Sequence, residues 1–288
     1  MASLSDIRNR IGSVKNTRQI TRAMKLVAGA KLARATQAAL AAKPYQEALS
    51  RVLGRVVQSA GDVDHPLLTV PENETDVLVV LMTSDRGLCG GFNSRLCRDV
   101  EGQIKTLQAA GKTVKILCYG KKGRSHFANR GYDILDSVLD IDPTTYPELS
   151  EELANRLVDG LISNQFSEVR LAFNRYVSVM TQDPSFDQVL PMVIESEEGQ
   201  AGAEGDYIYE PDGDEILGQL LPKSLRTRIY QGFLETQAGE QASRMTAMDS
   251  ATRNAGDIID QLTLDYNRAR QAAITKELIE IVSGAEAL

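Results

Sequence analysis

A chain of 288 residues, 42% hydrophobic and 25% charged, is long enough to bury a real core in one or two domains. Its longest apolar run, Val77 to Met82, is far short of the roughly 20 residues that cross a bilayer, and no apolar leader follows Asp6, Arg8 and Arg10, so neither a membrane span nor a secretory signal is expected. The net charge of −7 hides an asymmetry: residues 1–58 carry +9 and the remainder −16, which informs about partners more than about fold.

Residues 3–57 contain no strong breaker except Pro44 and read as one long helix, with Ser3 and Ser5 as candidate caps and Asp6 in the first turn. Alternate steps of three and four from Leu4 reach Ile7, Ile11, Val14, Arg18, Thr21, Lys25 and Ala28, then Leu32, Ala35, Ala39, Ala42, Gln46, Leu49, Leu53 and Val56. Twelve of these sixteen positions are apolar, the mark of a coiled-coil seam. The seam turns polar at Arg18, Thr21 and Lys25, while Ile20, Met24 and Val27 lie on another face. That change of face suggests a second surface with its own partner.

The middle of the chain alternates strand and helix. Strands are expected at Val77–Met82, Thr113–Tyr119, about 132–139, near 168–181 and near 186–195, with helices at about 94–110, 121–130 and 147–164. Such alternation implies parallel pairing with right-handed crossovers, and Gln182-Asp183-Pro184-Ser185 reads as a hairpin turn at one edge. Between Glu195 and Glu215 stand nine acids and no base, an exposed linker or foot. The last segment, 213–284, is broken only by Pro222, and Gly284 is its expected stop. From Met245 its stripe runs through Met248, Thr252, Ala255, Ile259, Leu262, Tyr266, Ala269 and Ala273, then drifts to Ile274, Leu278 and Ile281.

The two terminal rods would measure roughly 80 Å and 105 Å at 1.5 Å per residue. No small domain buries such lengths, so they must pack on each other, on other chains, or on both. The fold class read from this pattern is α/β: a long antiparallel coiled coil of the N- and C-terminal helices with an inserted Rossmann-like α/β domain. Its parts are a helix at 1–58, an α/β domain at 75–195, an acidic linker or foot at 196–212 and a helix at 213–288.

Tests for chemistry return little. Gly87, Gly90 and Gly91 lack dinucleotide spacing, and Gly120-Lys121-Lys122-Gly123-Arg124-Ser125 lacks the ending of a phosphate loop, so both read as close-packed turns. His65 and His126 are isolated, and Cys89, Cys97 and Cys118 are odd in number without metal spacing. These thiols fit a reducing compartment and buried, inert positions. No catalytic, cofactor or metal site is expected. A nucleic-acid-binding arm could explain the basic first helix, but the acidic remainder and the single aromatic, Tyr45, on that helix argue against it.

Three segments carry a resemblance. They are Ile7-Arg8-Asn9-Arg10-Ile11 through Asn16–Ala28, the turn SDRGLCGGFN at Ser84–Asn93, and SRMTAMDSATRNAGD at Ser243–Asp257 continuing through Asn267–Leu278. Over its full length the chain resembles the gamma-subunit family of F-type ATP synthases, in its bacterial form. The resemblance implies a central rotating shaft, non-catalytic itself, inside three alpha and three beta subunits, with the α/β middle beside the epsilon subunit and on the ring of c subunits. It further implies that Met24 and Lys25 lie by an acidic lever of a beta subunit, with Arg244 near the same contacts. Arg270, Gln271 and Thr275 would engage a loop of the head, and Tyr207, Tyr209 and Glu210 the polar loops of the c ring. A place on the cytoplasmic face of the bacterial membrane, without cofactor, metal or nucleic acid, completes the expectation.

Overall fold

The computed structural model describes residues 3–60, 65–69, 75–193 and 213–286. They fall into two compact units, Met1–Gly29 with Arg244–Leu288, and Ala30–Ser243. Two long helices contribute to both, α1 (Leu4–Ala60) and α5 (Gly213–Glu286), and Pro44 and Pro222 lie inside them. Ser3 caps α1 reciprocally with Asp6: the Asp6 N–H donates to Ser3 Oγ at 3.1 Å, and the Ser3 N–H donates to Asp6 Oδ2 at 3.0 Å. Gly284, the expected stop, lies within α5. A glycine weakens a helix by about 1 kcal/mol against alanine and ends it only when the chain also turns left-handed there.

The larger unit adds β1 (Asp76–Met82), α2 (Phe92–Ala109), β2 (Thr113–Tyr119), α3 (Lys121–Ala128), β3 (Ile134–Val138), α4 (Tyr146–Ile162), β4 (Glu168–Tyr176) and β5 (Gln182–Leu190). The sheet order is β3-β2-β1-β4-β5, parallel throughout except for β5, which runs antiparallel to β4. The central strand β1 is apolar at every position from Val77 to Met82 because both its faces are covered. Leu78, Val80 and Met82 join Leu153 and Leu157 of α4, Leu217, Leu221, Leu225 and Ile229 of α5, and Leu53 and Val56 of α1 in one core layer. Val77, Val79 and Leu81 point the other way, onto Leu96, Val100 and Ile104 of α2 and Phe127 of α3. Cys97 and Cys118 lie in this second layer, where burial pushes both thiols up to about 12, so neither is reactive.

The edge hairpin forms where the sequence pattern did not put it. Gln182, Asp183, Pro184 and Ser185 are residues of β5, paired with Tyr176, Arg175, Asn174 and Phe173, and the turn is Val177–Thr181. Proline breaks a central strand, but β5 is the sheet's edge, where no neighbour requires the missing N–H.

The glycine turn after β1 is braced by side chains. The Asn93 amide donates to Ser84 Oγ at 2.7 Å and its carbonyl oxygen accepts the Ser84 N–H at 3.0 Å. Asp85 accepts the N–H groups of Lys121 at 2.9 Å and Ile141 at 3.1 Å, tying the turn to the start of α3 and to the chain after β3. Gly120 has a φ of 105°, and a Cβ there would sit 2.2 Å from the Thr83 carbonyl oxygen, so no other residue fits.

Doubly wound sheets open a crevice where the strand order reverses, here between the carboxyl ends of β1 and β4. In this chain protein fills it. The Asn174 amide donates to the Phe92 carbonyl at 3.2 Å, and the Phe92 ring lies 2.9 Å from where a Cβ of Gly239 in α5 would be. Gly232, one stretch earlier on α5, gives similar room to Met82 and Leu171. Helix α5 therefore passes across the position that a nucleotide occupies in other sheets of this order.

Candidate partner-contact surface

In the smaller unit the two helices run antiparallel, and successive facing pairs can be followed along the seam. Arg18 lies beside Gly256, Thr21 faces Thr252, Lys25 faces Asp249, and Gly29 lies beside Met245. The seam positions Leu4, Ile7, Ile11 and Val14 are half-buried, and Ala28, Met248, Ala255 and Ile259 are buried. Spacing by three and four residues thus placed the seam correctly. It did not reveal that the two polar interruptions, one on each helix, meet.

They meet in two adjacent layers. Thr252 Oγ1 lies 2.8 Å from Thr21 Oγ1 and 2.7 Å from the Met248 carbonyl of its own helix, sharing its one proton between these two acceptors, and Thr21 Oγ1 donates to the Arg18 carbonyl at 3.1 Å; Thr21 is buried. One turn along, Lys25 Nζ donates to Asp249 Oδ1 at 2.6 Å. The Lys25 hydrogen bond, with Arg253 adding from one turn further on, holds the Asp249 carboxyl below its usual range although partial desolvation works the other way. Thr252 was the single polar residue in the α5 stripe; setting it opposite Thr21 in an antiparallel register is the signal that would have found this cluster.

Beside these layers lies an apolar strip. Ile20 is 61% exposed and Val27 56% exposed, with Met24 half-buried between them at spacings of four and three residues. Leu26, which the sequence pattern did not single out, is 68% exposed on a further face of the helix, about a third of a turn from this strip. Arg244 is only 8% exposed and is engaged within the chain.

A second surface lies at the far end of α5. Because α1 begins at Leu4, continuing the register leaves α5 beyond about Arg270 with no α1 residue opposite. Arg270, Gln271 and Thr275 are exposed there, flanking the exposed apolar stripe Ile274, Leu278 and Ile281. The structure brings these three together and keeps them from Met24 and Lys25, whose level lies about 30 Å away along the helix axis. Tyr207, Tyr209 and Glu210, like the 196–212 segment that holds them, lie outside the described residues.

The helical pair that ends in one bare helix and the sheet whose usual ligand crevice is filled both belong to a chain with counterparts among known proteins. The family model described as ATP synthase matches residues 3–288. The ATP synthase gamma chain of Paracoccus denitrificans is 49% identical, and that of Desulforamulus reducens 44%, each alignment covering 100% of both chains. Among solved structures, a chain from the central stalk and c-ring of the Tetrahymena thermophila mitochondrial ATP synthase matches with a TM-score of 0.56 at 22% identity, over 81% of this chain and 99% of that one. A chain from the rotor of the Euglena gracilis mitochondrial ATP synthase matches at 0.60 and 16%, over 94% and 98%. At such identities the structures speak for the fold alone, which they share. Full-length identity approaching half of all positions speaks for more: the chain belongs to the ATP synthase gamma chain family.

Proposed function

We propose that this chain is the central rotating shaft of a proton-translocating ATP synthase, coupling rotation of the c ring to ATP synthesis and hydrolysis at beta-subunit sites. The observation that carries the reading is the asymmetry of the smaller unit: a helix pair with an apolar strip at Ile20, Met24 and Val27, continued by one bare helix with a stripe of its own. Three alpha and three beta subunits surround this unit; the epsilon subunit and the c ring meet the other. Met24 and Lys25 face a beta-subunit lever, and Arg270, Gln271 and Thr275 face a loop of the head. Arg244, being buried, acts by shaping the shaft. Tyr207, Tyr209 and Glu210 meet the c ring.

An asymmetric rod in a threefold sleeve presents a different face to each beta subunit. Each site then differs in affinity by as much as its contacts with the rod differ, and by no more. Each charge that crosses the membrane releases about 2.3 kcal/mol per 100 mV, and the rod carries that work to the sites by changing which of them favours ATP. The coupling is reciprocal, so hydrolysis turns the rod backward. The chain contributes no catalytic group, a reading supported by the filled crevice between β1 and β4. It sits peripherally on the cytoplasmic face of a bacterial membrane through its partners; among the described residues no helix is long and apolar enough to cross a membrane.

The test is Met24→Lys in the complex reconstituted into vesicles. Fewer protons pumped per ATP hydrolysed, with an unchanged melting temperature of the purified chain, is the expected result; fully matched pumping overturns the reading. Purified native complexes should contain one copy of the chain per three alpha–beta pairs.

A further inference from the structure

Both helices of the smaller unit satisfy their own backbones, so a twisting load on one reaches the other only through side chains across the seam. Twisting a two-stranded rope makes its strands slide. A seam of alanine, leucine and methionine resists sliding poorly, because such side chains pack almost as well one turn along; polar residues at seam positions are what single out a register. Here the polar positions of the two helices coincide, in consecutive layers, as Thr21 with Thr252 and Lys25 with Asp249.

A slip of one turn would set Thr21 against Met248 and Lys25 against Met245, or Thr21 against Ala255 and Lys25 against Thr252. Either way the buried Thr21 hydroxyl loses its cross-helix partner and Asp249 loses Lys25. The two layers differ in kind. The ion pair is half-exposed, with side-chain exposures of 41% and 35%, and such pairs are weak alone. The hydroxyl pair is sheltered and directional; after a slip each hydroxyl falls back on a carbonyl of its own helix, Arg18 for Thr21 and Met248 for Thr252, and the bond between the helices is what is lost.

We propose that Thr21, Thr252, Lys25 and Asp249 form a slip lock that holds α1 and α5 in one register while the pair transmits torque. The proposal rests on the shaft reading, since rotation supplies the load. These four are positioning residues: they touch no nucleotide and act by keeping the outer faces of the pair in fixed phase.

The test uses the assembled complex during ATP hydrolysis, with two cysteine pairs as reporters. Val14→Cys with Ile259→Cys reports the native register by disulfide yield, and Val14→Cys with Leu262→Cys reports a slip of one turn. With the lock intact, only the first pair should cross-link. In a background of Thr21→Val, Thr252→Val and Asp249→Leu, the second product should appear under turnover, and protons pumped per ATP should fall several-fold. Replacing Asp249→Leu in that background by the reversed pair Lys25→Asp and Asp249→Lys should suppress the slipped product again. If the triple variant does not assemble, the isosteric Thr21→Val with Thr252→Val carries the same readouts. Only native cross-linking in the altered background overturns the lock. Slipped product with undiminished pumping upholds the lock and overturns the shaft reading.

Discussion

Between Leu217 and Phe233, α5 carries Leu217, Leu221, Leu225, Ile229 and Phe233 at regular helical spacing, and none is more than 3% exposed. Between Leu264 and Val282 the same helix carries Leu264, Ile274, Leu278, Ile281 and Val282, and none is less than 49% exposed. Both stretches are built mainly of leucine and isoleucine, and in the second the helical spacing of four and three runs through Ile274, Leu278 and Ile281. The first has a sheet, α4 and α1 against it; the second, beyond about Arg270, has no residue of α1 opposite it. An apolar stripe states that something covers a helix, and only the neighbouring elements state whether the cover is in the same chain. The larger unit accordingly holds its own stability, while the exposed end of the smaller one stores apolar surface for others.

The comparison is broken most severely by overfilling the larger unit. Gly120→Ala forces a Cβ to within 2.2 Å of the Thr83 carbonyl oxygen at a φ of 105°, which only glycine adopts without strain. Backbone strain and overpacking together should destabilise the chain by about 4 kcal/mol, read from denaturant unfolding. In the smaller unit Gly256→Ala meets nothing closer than the Arg18 guanidinium carbon at 3.8 Å, and should instead stabilise α5 by up to ~1 kcal/mol.

Truncation separates the units next. Leu157→Ala empties a site that is 0% exposed, between α4 and the sheet, and should cost about 3 kcal/mol. Ile11→Ala removes a half-buried seam residue and should cost about 1 kcal/mol, since less of its surface leaves water. Equal losses in unfolding experiments would mean that the seam is as tightly closed as the sheet core.

Charge gives a smaller contrast. Burial raises the Glu168 carboxyl, but hydrogen bonds from Lys112 and Arg170 lower it further, so its folded pKa lies below the usual carboxylate range. A depressed carboxylate stabilises the fold above its unfolded pKa, and that contribution disappears as pH falls through the lower, folded value. Glu168→Gln should therefore cost about 2 kcal/mol at neutral pH and flatten the loss of stability in acid. The Lys25–Asp249 pair has the same sign, but it is half-exposed and should weaken in added salt, whereas the Glu168 cluster, with a side chain 8% exposed, should not.

Much of this was legible in the sequence because one face or two faces of an element leave a period behind. Val77–Met82 had to be buried on both sides, and the steps from Leu4 found the seam of α1. What was illegible depended on partners remote in sequence. Pro184 reads as a turn until its place on the edge strand is known, and Gly284 reads as a stop although nothing at that point turns the chain. Thr21 and Lys25 read as a surface for another protein; within the chain their polar groups face Thr252 and Asp249, while Ile20 and Val27 beside them are exposed. The burial of Arg244 cannot be seen from its neighbours in sequence.

The smallest expected effect on folding is the sharpest test of the comparison. Leu278 is 57% exposed and lies on α5 beyond the reach of α1. Leu278→Asp adds a negative charge near a helix C-terminus, where the dipole opposes it by a few tenths of a kcal/mol, and removes no buried contact, so the purified chain should melt within about 0.5 kcal/mol of the original. Assembly should respond quite differently. If a partner covers this stripe, as proposed above, a carboxylate buried there loses its water without gaining a partner, so recovery of the chain with alpha and beta subunits should drop sharply. Leu221→Asp, at the same spacing on the buried stretch, should unfold the chain outright. A Leu278→Asp chain that melts early would mean that the end of α5 has a partner within its own chain, and the division between self-covered and partner-covered helix would have to be redrawn.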